Sequence, residues 1–191
     1  MALQLITPPA AEPVTLAEAK MHLRDVVGVE DALVTNWITA ARQHLDGKDG
    51  ILGRALMPQT WELVMDAFPC GRISVPLPPL QSITSISYYD TAGTLQVLSD
   101  TAYIVEPAFE PGIVEPVDSW PSTKTRAGAV RIRFVAGYAN ATAVPRTLWA
   151  AMLLAIGDMY ENRETGVVGV SYADNPAYDS LTFPYRVRLM G

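Results

Sequence analysis

Asp158, Glu161 and Glu164 recur three residues apart on a stretch that reads as a helix. Carboxylates stacked on one helical face are what a carboxylate metal site uses. Such sites in helical bundles add Glu-x-x-His pairs from other helices, and this chain has none. The three acids therefore read as a solvated helix end. Neither His22 nor His44 has a second His or Cys at ligand spacing, so each reads as a surface or structural side chain. Cys70 is the only cysteine, which excludes an intramolecular disulfide and a cysteine zinc cage. Gly166-Val167-Val168-Gly169 lacks the lysine and third glycine of a phosphate loop, and no serine-hydrolase, zincin or dinucleotide motif occurs. Asn140-Ala141-Thr142 spells a glycosylation acceptor, a chance match where no secretion signal is read. Arg131 and Arg133 lie two apart and can hold an anion or pair with acids; the plain reading is a solvated sheet edge. These residues imply a protein that is not an enzyme, with no cofactor and no metal.

The elements that would position such residues follow from composition and period. The 191 residues are 49% hydrophobic and 18% charged, with a formal net charge of −6 and a pI of about 4.8. That is the composition of a folded domain, or a domain with an insertion, and not of a disordered chain. A non-specific nucleic-acid binder needs a basic surface, which this balance does not supply. The start, MALQLITPPAAEP, has no basic region before an apolar run and does not read as a signal peptide. No run reaches the ~18 apolar residues of a membrane span. The expectation is a soluble protein made in a reducing cytoplasm, with no membrane partner.

Residues 144–165 give the longest helical pattern. Pro145 suits a first helical position. Leu148, Met152, Ala155, Ile156 and Met159 fall on one face, and Ala151 and Leu154 widen it. Thr15 and Glu18 form a T-x-x-E capping box for a helix over about 16–26 that buries Leu16, Ala19, Met21 or Leu23, and Val26. Glu30 and Asp31 open a third helix near its positive end, with Val34, Trp37, Ile38, Ala41 and Leu45 apolar, and the glycines of Asp46–Gly50 end it.

From Gln59 to Val135 the period is two. Trp61, Leu63 and Met65 alternate with Thr60, Glu62, Val64 and Asp66; Val130, Ile132 and Phe134 alternate with Arg131 and Arg133. Further strands are expected at 72–75, from Ile83 through Tyr88, and at 95–97 and 103–105, with Asp90–Gly93 a hairpin turn. Residues 106–121 read mostly as loop, with one short strand at Ile113–Val114. About six short strands with proline-rich links imply an antiparallel sandwich or small barrel.

The fold class is thus α+β: a small bundle of three main helices interrupted by an antiparallel β-rich insertion. Its parts are an extended arm over 1–13, a helical core over 14–58 and 144–165, the insertion over 59–143, and a tail over 166–191. Proline, glycine and tyrosine dominate the tail, which cannot build a core alone and must dock on its own domain or on another subunit. Its candidate docking residues are Tyr172, Tyr178, Phe183, Tyr185 and Arg186, since tyrosine and arginine are favoured interface anchors.

The order of these features resembles the tailed-phage head–tail connector (adaptor) proteins, in the prophage form that adds a β-insertion to a helical connector core. The resemblance rests on Val14–Lys20 with His22-Leu23-Arg24, Asp31–Leu33 with Ala40–Arg42, Gly53–Leu56, Gln59–Trp61, Pro78–Ile83, Ala136–Tyr138, and Val144-Pro145 leading to Leu153-Leu154 and Tyr160–Glu164. It spans about residues 14–165. It implies a structural virion protein at the head–tail junction, made in the bacterial host cytoplasm. Such proteins form a ring, often of twelve subunits, beneath the portal. The ring extends the DNA channel, through which dsDNA passes without specific binding, and it meets a head-completion (stopper) or tail protein. A rival reading is a carbohydrate- or peptide-binding module using Trp61, Tyr88, Tyr89 or Trp120.

Overall fold

Helix α1 (Leu16–Leu23) begins at the T-x-x-E pattern. Thr15 Oγ1 accepts from the Glu18 amide at 3.2 Å, and Glu18 Oε2 accepts from the Thr15 amide at 2.8 Å. The helix ends sooner than its pattern suggests because Arg24 turns out of it at φ +63°. Residues 1–24, 31–162 and 176–187 are described in the computed structural model. Ala19 is buried, Leu23 packs partly into the core, and Met21 faces out; Val26 and Glu30 lie outside the described residues.

Helix α2 (Asp31–Leu45) buries Val34, Ile38, Ala41 and Leu45, as its period requires. Helix α3 (Arg146–Glu161) buries Leu148, Ala151, Met152, Leu153 and Ile156. Pro145 sits one place earlier than expected, at the N-cap, where its carbonyl accepts from the Leu148 amide at 2.9 Å. Leu153 rather than Leu154 completes the buried face, and the helix stops four residues short of Thr165. These three helices pack on one core that also takes in Val14, Leu52, Leu56 and Val144. A fourth helix, α4 (Pro176–Thr182), lies in the segment read as a docking tail and packs on α3. Helices therefore number four among the described residues, against the three expected.

Among the described residues eight strands, all paired antiparallel, form two sheets. The larger is ordered β1 (Ala2–Thr7), β2 (Gln59–Met65), β8 (Val130–Ala136), β4 (Leu80–Tyr89), β5 (Leu95–Val97). The smaller is ordered β3 (Ile73–Val75), β7 (Gly112–Pro116), β6 (Tyr103–Glu106). Their inward residues, among them Trp61, Leu63, Ile86, Val114, Ile132 and Phe134, share a second core. The result is a sandwich.

One sequence expectation is sharpened here and one changes. The extended arm at 1–13 is held in the fold, its residues 2–7 forming the edge strand of the larger sheet, with Leu3 opposite Leu63. And β8 is a central strand flanked by β2 and β4, so Arg131 and Arg133 are not at an edge. Their guanidiniums bracket Glu62 at 3.0 and 2.7 Å. Glu62 lies opposite Arg133 across the β2–β8 ladder and is 5% exposed. Of the two roles read for these arginines, pairing with an acid is the one made.

A buried polar cluster joins the helical core to the sandwich. Asp46, just after α2, takes Arg42 Nη1 on Oδ2 at 2.9 Å, while Oδ1 takes the Leu56 amide and Gln59 Nε2, each at 2.8 Å. Arg42 Nε donates to Glu12 at 2.7 Å. Burial pushes the Asp46 carboxyl up, against the pull of these hydrogen bonds and of Arg42.

Replacing Asp46 by Ala strands Arg42 with one partner and leaves a buried amide unpaired. The expected loss is about 3 kcal/mol in urea unfolding. At the start of α1, the hydrogen bonds from Thr15 hold the Glu18 carboxyl below its usual range. A depressed carboxylate gives stability that is present above its unfolded pKa, about 4.3, and is lost as pH falls through the folded value. Glu18→Gln should therefore flatten part of the acid limb of the stability curve.

Candidate functional site

Arg54 lies on the turn between α2 and β2 and is 5% exposed. A buried guanidinium must spend its donors on protein acceptors, since water cannot reach them. Arg54 spends them on three distant segments. Nε donates to the Tyr185 carbonyl at 2.7 Å, Nη1 to Tyr138 Oη at 3.0 Å, and Nη2 to Glu110 Oε2 at 2.9 Å. Its guanidinium carbon also lies 5.8 Å from the centre of the Tyr185 ring.

These contacts make a seat for the end of the chain. The Val187 amide donates to the Leu52 carbonyl at 2.8 Å, and Thr147 Oγ1 on α3 donates to Tyr185 Oη at 3.0 Å. Gly53, at φ +62°, gives the turn a backbone conformation that residues with a side chain rarely adopt. α4 adds Thr182, fully buried, whose hydroxyl donates to the Tyr178 carbonyl at 3.0 Å. Tyr178 packs on the helical core, and burial pushes its phenol up to about 12. Arg186 closes the segment with an exposed ion pair to Asp179.

The seat gathers some of the candidate docking residues and leaves others out. Tyr178 and Tyr185 are held against the chain's own helices, while Phe183 is 57% exposed. Tyr172 lies outside the described residues. Reading the sequence missed Arg54 as the organiser. The one signal was a charge set among Leu52, Ala55 and Leu56, all fully buried.

The site binds a peptide main chain, and it contains no paired nucleophile and base. Elsewhere, Asp158 accepts from Asn162 at 2.9 Å, and Glu164 lies outside the described residues. Among the described residues no group of three or more His, Cys, Asp or Glu side chains is placed to hold a metal, and no helix is long and apolar enough to cross a membrane. The aromatics of the rival reading are engaged within the fold. Trp61 is a core residue, Phe68 stacks on Trp120 at 4.7 Å and meets Tyr88 edge-on, and Arg126 covers Tyr89. A shallow cavity of about 340 Å³ beside Phe68, Cys70 and Trp120 remains open.

No protein-family model matches the chain, and no curated protein matches it. Solved structures do match over its whole length. A chain in the virion of a native gene transfer agent particle superposes with a TM-score of 0.82 at 25% identity, covering 100% of this chain and 98% of that one. A chain from the neck of an empty gene transfer agent particle, computed with C6 symmetry, gives 0.81 at 25% with the same coverage. A third, from the neck of a native particle computed with C12 symmetry, gives 0.73 at 22%, also over 100% and 98%, and is a likeness of fold.

Removing the Arg54 fork should loosen the tail before it unfolds the domain. Arg54→Ala should raise hydrogen exchange across residues 176–187 and cost about 2–3 kcal/mol. Arg54→Lys should recover only part, because one ammonium cannot serve three acceptors arranged for a planar fork.

Proposed function

We propose that this chain is a structural protein of a phage-like particle, located at the neck, where it serves as a head–tail connector. One observation carries the reading: the chain aligns end to end, at 25% identity, with chains of gene transfer agent virions and necks. A full-length match supports a shared role more strongly than a match of one sheet or bundle does, because every assembly surface is included. The neck structures were computed with C6 and C12 symmetry, which supports assembly as a ring of identical subunits.

In this reading the ring sits beneath the portal, extends the DNA channel, and presents its far side to a stopper or tail protein. The net charge of −6 suits a channel wall along which DNA slides without adhering. Synthesis in the host cytoplasm would precede joining to the head. The tail is the portal-docking segment, through Tyr172, Tyr178, Phe183, Tyr185 and Arg186. Phe183 is more than half exposed, whereas Tyr178 and Tyr185 must first leave their seat. The binding-module reading loses ground, since its aromatics pack in the sandwich core or against Phe68 and Arg126.

Electron microscopy of the protein mixed with its portal should reveal an added ring. A portal that stays bare at saturating protein would refute the connector role. Deletion of residues 167–191, which uncovers part of α3 and unpairs one Arg54 donor and so lowers the unfolding midpoint, or the exposed substitution Phe183→Asp, should leave a folded monomer that no longer joins portal-bearing heads. Normal joining by both would remove the tail from the docking site.

A further inference from the structure

We propose that the two outer faces of the β-sandwich are the two halves of a contact between neighbouring copies of this chain. The inference rests on the ring reading above. Because both sheets turn their inward residues to one core, their outward faces point to opposite sides of the subunit.

The face of the larger sheet is basic and apolar. Residues alternating with core positions face outward, and the ladder sets Ser85 beside Arg133 and Ser87 beside both Arg131 and Val97. Arg126 extends the row, its guanidinium 4.1 Å from the ring centre of Tyr89, which lies opposite Leu95. Leu95 and Val97 are 54% and 71% exposed. Glu62 balances only one of the two arginine charges it touches.

The face of the smaller sheet is acidic and apolar. Ile104 lies opposite Glu115, and Glu106 follows on the same face of β6. Ile104, Phe109 and Val117 are each more than half exposed. Residues 100–123 contain five acids and neither lysine nor arginine, and only Glu110 of the five has an ion-pair partner among the described residues, Arg54.

Each face thus combines exposed apolar side chains with unbalanced charge, and the two signs are opposite. Complementary patches on opposite sides of one subunit make a heterologous contact, which closes into a ring when the rotation per subunit divides a full turn. DNA phosphate would match the arginines alone and leave the acidic apolar face without a role. A second copy satisfies both.

The test uses the full chain and its portal, with ring addition scored by electron microscopy. Glu106→Arg with Glu115→Arg changes exposed side chains, so the thermal midpoint of the monomer should hold. Ring addition should fall about tenfold or more, because like charges then face each other across the contact. Adding Arg126→Glu to that chain should restore part of the loss; no recovery would assign the acidic face to another partner and overturn the pairing. A reversed chain that adds rings as well as the natural one overturns this contact and leaves the connector reading standing. A natural chain that adds no ring overturns both. If Arg126→Glu alone leaves rings intact but heads lose their DNA, the arginines belong to phosphate and the proposal fails.

Discussion

The fold depends on one buried carboxylate. Asp46 sits where α2 ends, and its two oxygens accept from Arg42, the Leu56 amide and Gln59. Taking a carboxylate and a guanidinium out of water is costly, and it is tolerated only when each donor and acceptor finds a partner in fixed geometry. That demand fixes the path of the chain from α2 to β2. The turn it holds feeds both cores at once: Leu52, Leu56 and Met57 enter the helical core, while Ala55 enters the sandwich. A turn serving two cores has little freedom to shift, since moving it to suit one would empty the other. Gly137 shows how closely the rest is fitted to it. At φ +117°, a side chain there would meet the Met57 carbonyl oxygen at 2.2 Å, and the next residue, Tyr138, donates its amide to Leu56.

The tail seat depends on the same turn. Asp46 and Arg54 are bridged, and the Gly47 amide donates to the Arg54 carbonyl at 2.9 Å. Asp46 thus sets the backbone from which Arg54 reaches Tyr185, Tyr138 and Glu110. The three acceptors come from three elements far apart in sequence, so the guanidinium reports whether all of them are in place. Its main acceptor in the tail is a backbone carbonyl, which many tail sequences could offer. The side-chain selectivity comes from Tyr185, through its ring under Arg54 and its hydroxyl on Thr147.

The sequence revealed what is periodic and local. α2 declares itself through Val34, Ile38, Ala41 and Leu45, and β8 through the alternation of Val130, Ile132 and Phe134 with two arginines. What stayed hidden depends on distant partners. Residues 2–7 carry no signal that they will pair with β2, and Pro8 and Pro9 next to them suggest an arm. α4 has seven residues, too few for period to separate a helix from a turn, and it stands because α3 covers it. Glu62 falls on the outward side of β2 and reads as exposed; only the register of β2 on β8 places it between two arginines. Arg54 was legible as an oddity, a charge within an apolar run. Its partners could not be read, because they lie 56 to 131 residues away.

The buried charges and the contacts proposed for assembly lie in different parts of the molecule. The charges that are buried, Arg42, Asp46, Arg54 and Glu62, are all paired in cis, so breaking them to bind a partner would expose the cost of their desolvation. They are therefore poorly suited to recognition. The charges on the outer sheet faces and the apolar side chains beside them are partly solvated, so a partner can cover them without dismantling a core. Under the proposed ring role, a subunit would need this separation to stay folded alone and then adhere to its neighbours. The sandwich supplies it by having two outward faces. The helical half contributes a different device, a short segment seated by Tyr178 and Tyr185 on the helical core and by hydrogen bonds to Arg54, Leu52 and Thr147, and its release leaves one donor of the buried Arg54 unpaired.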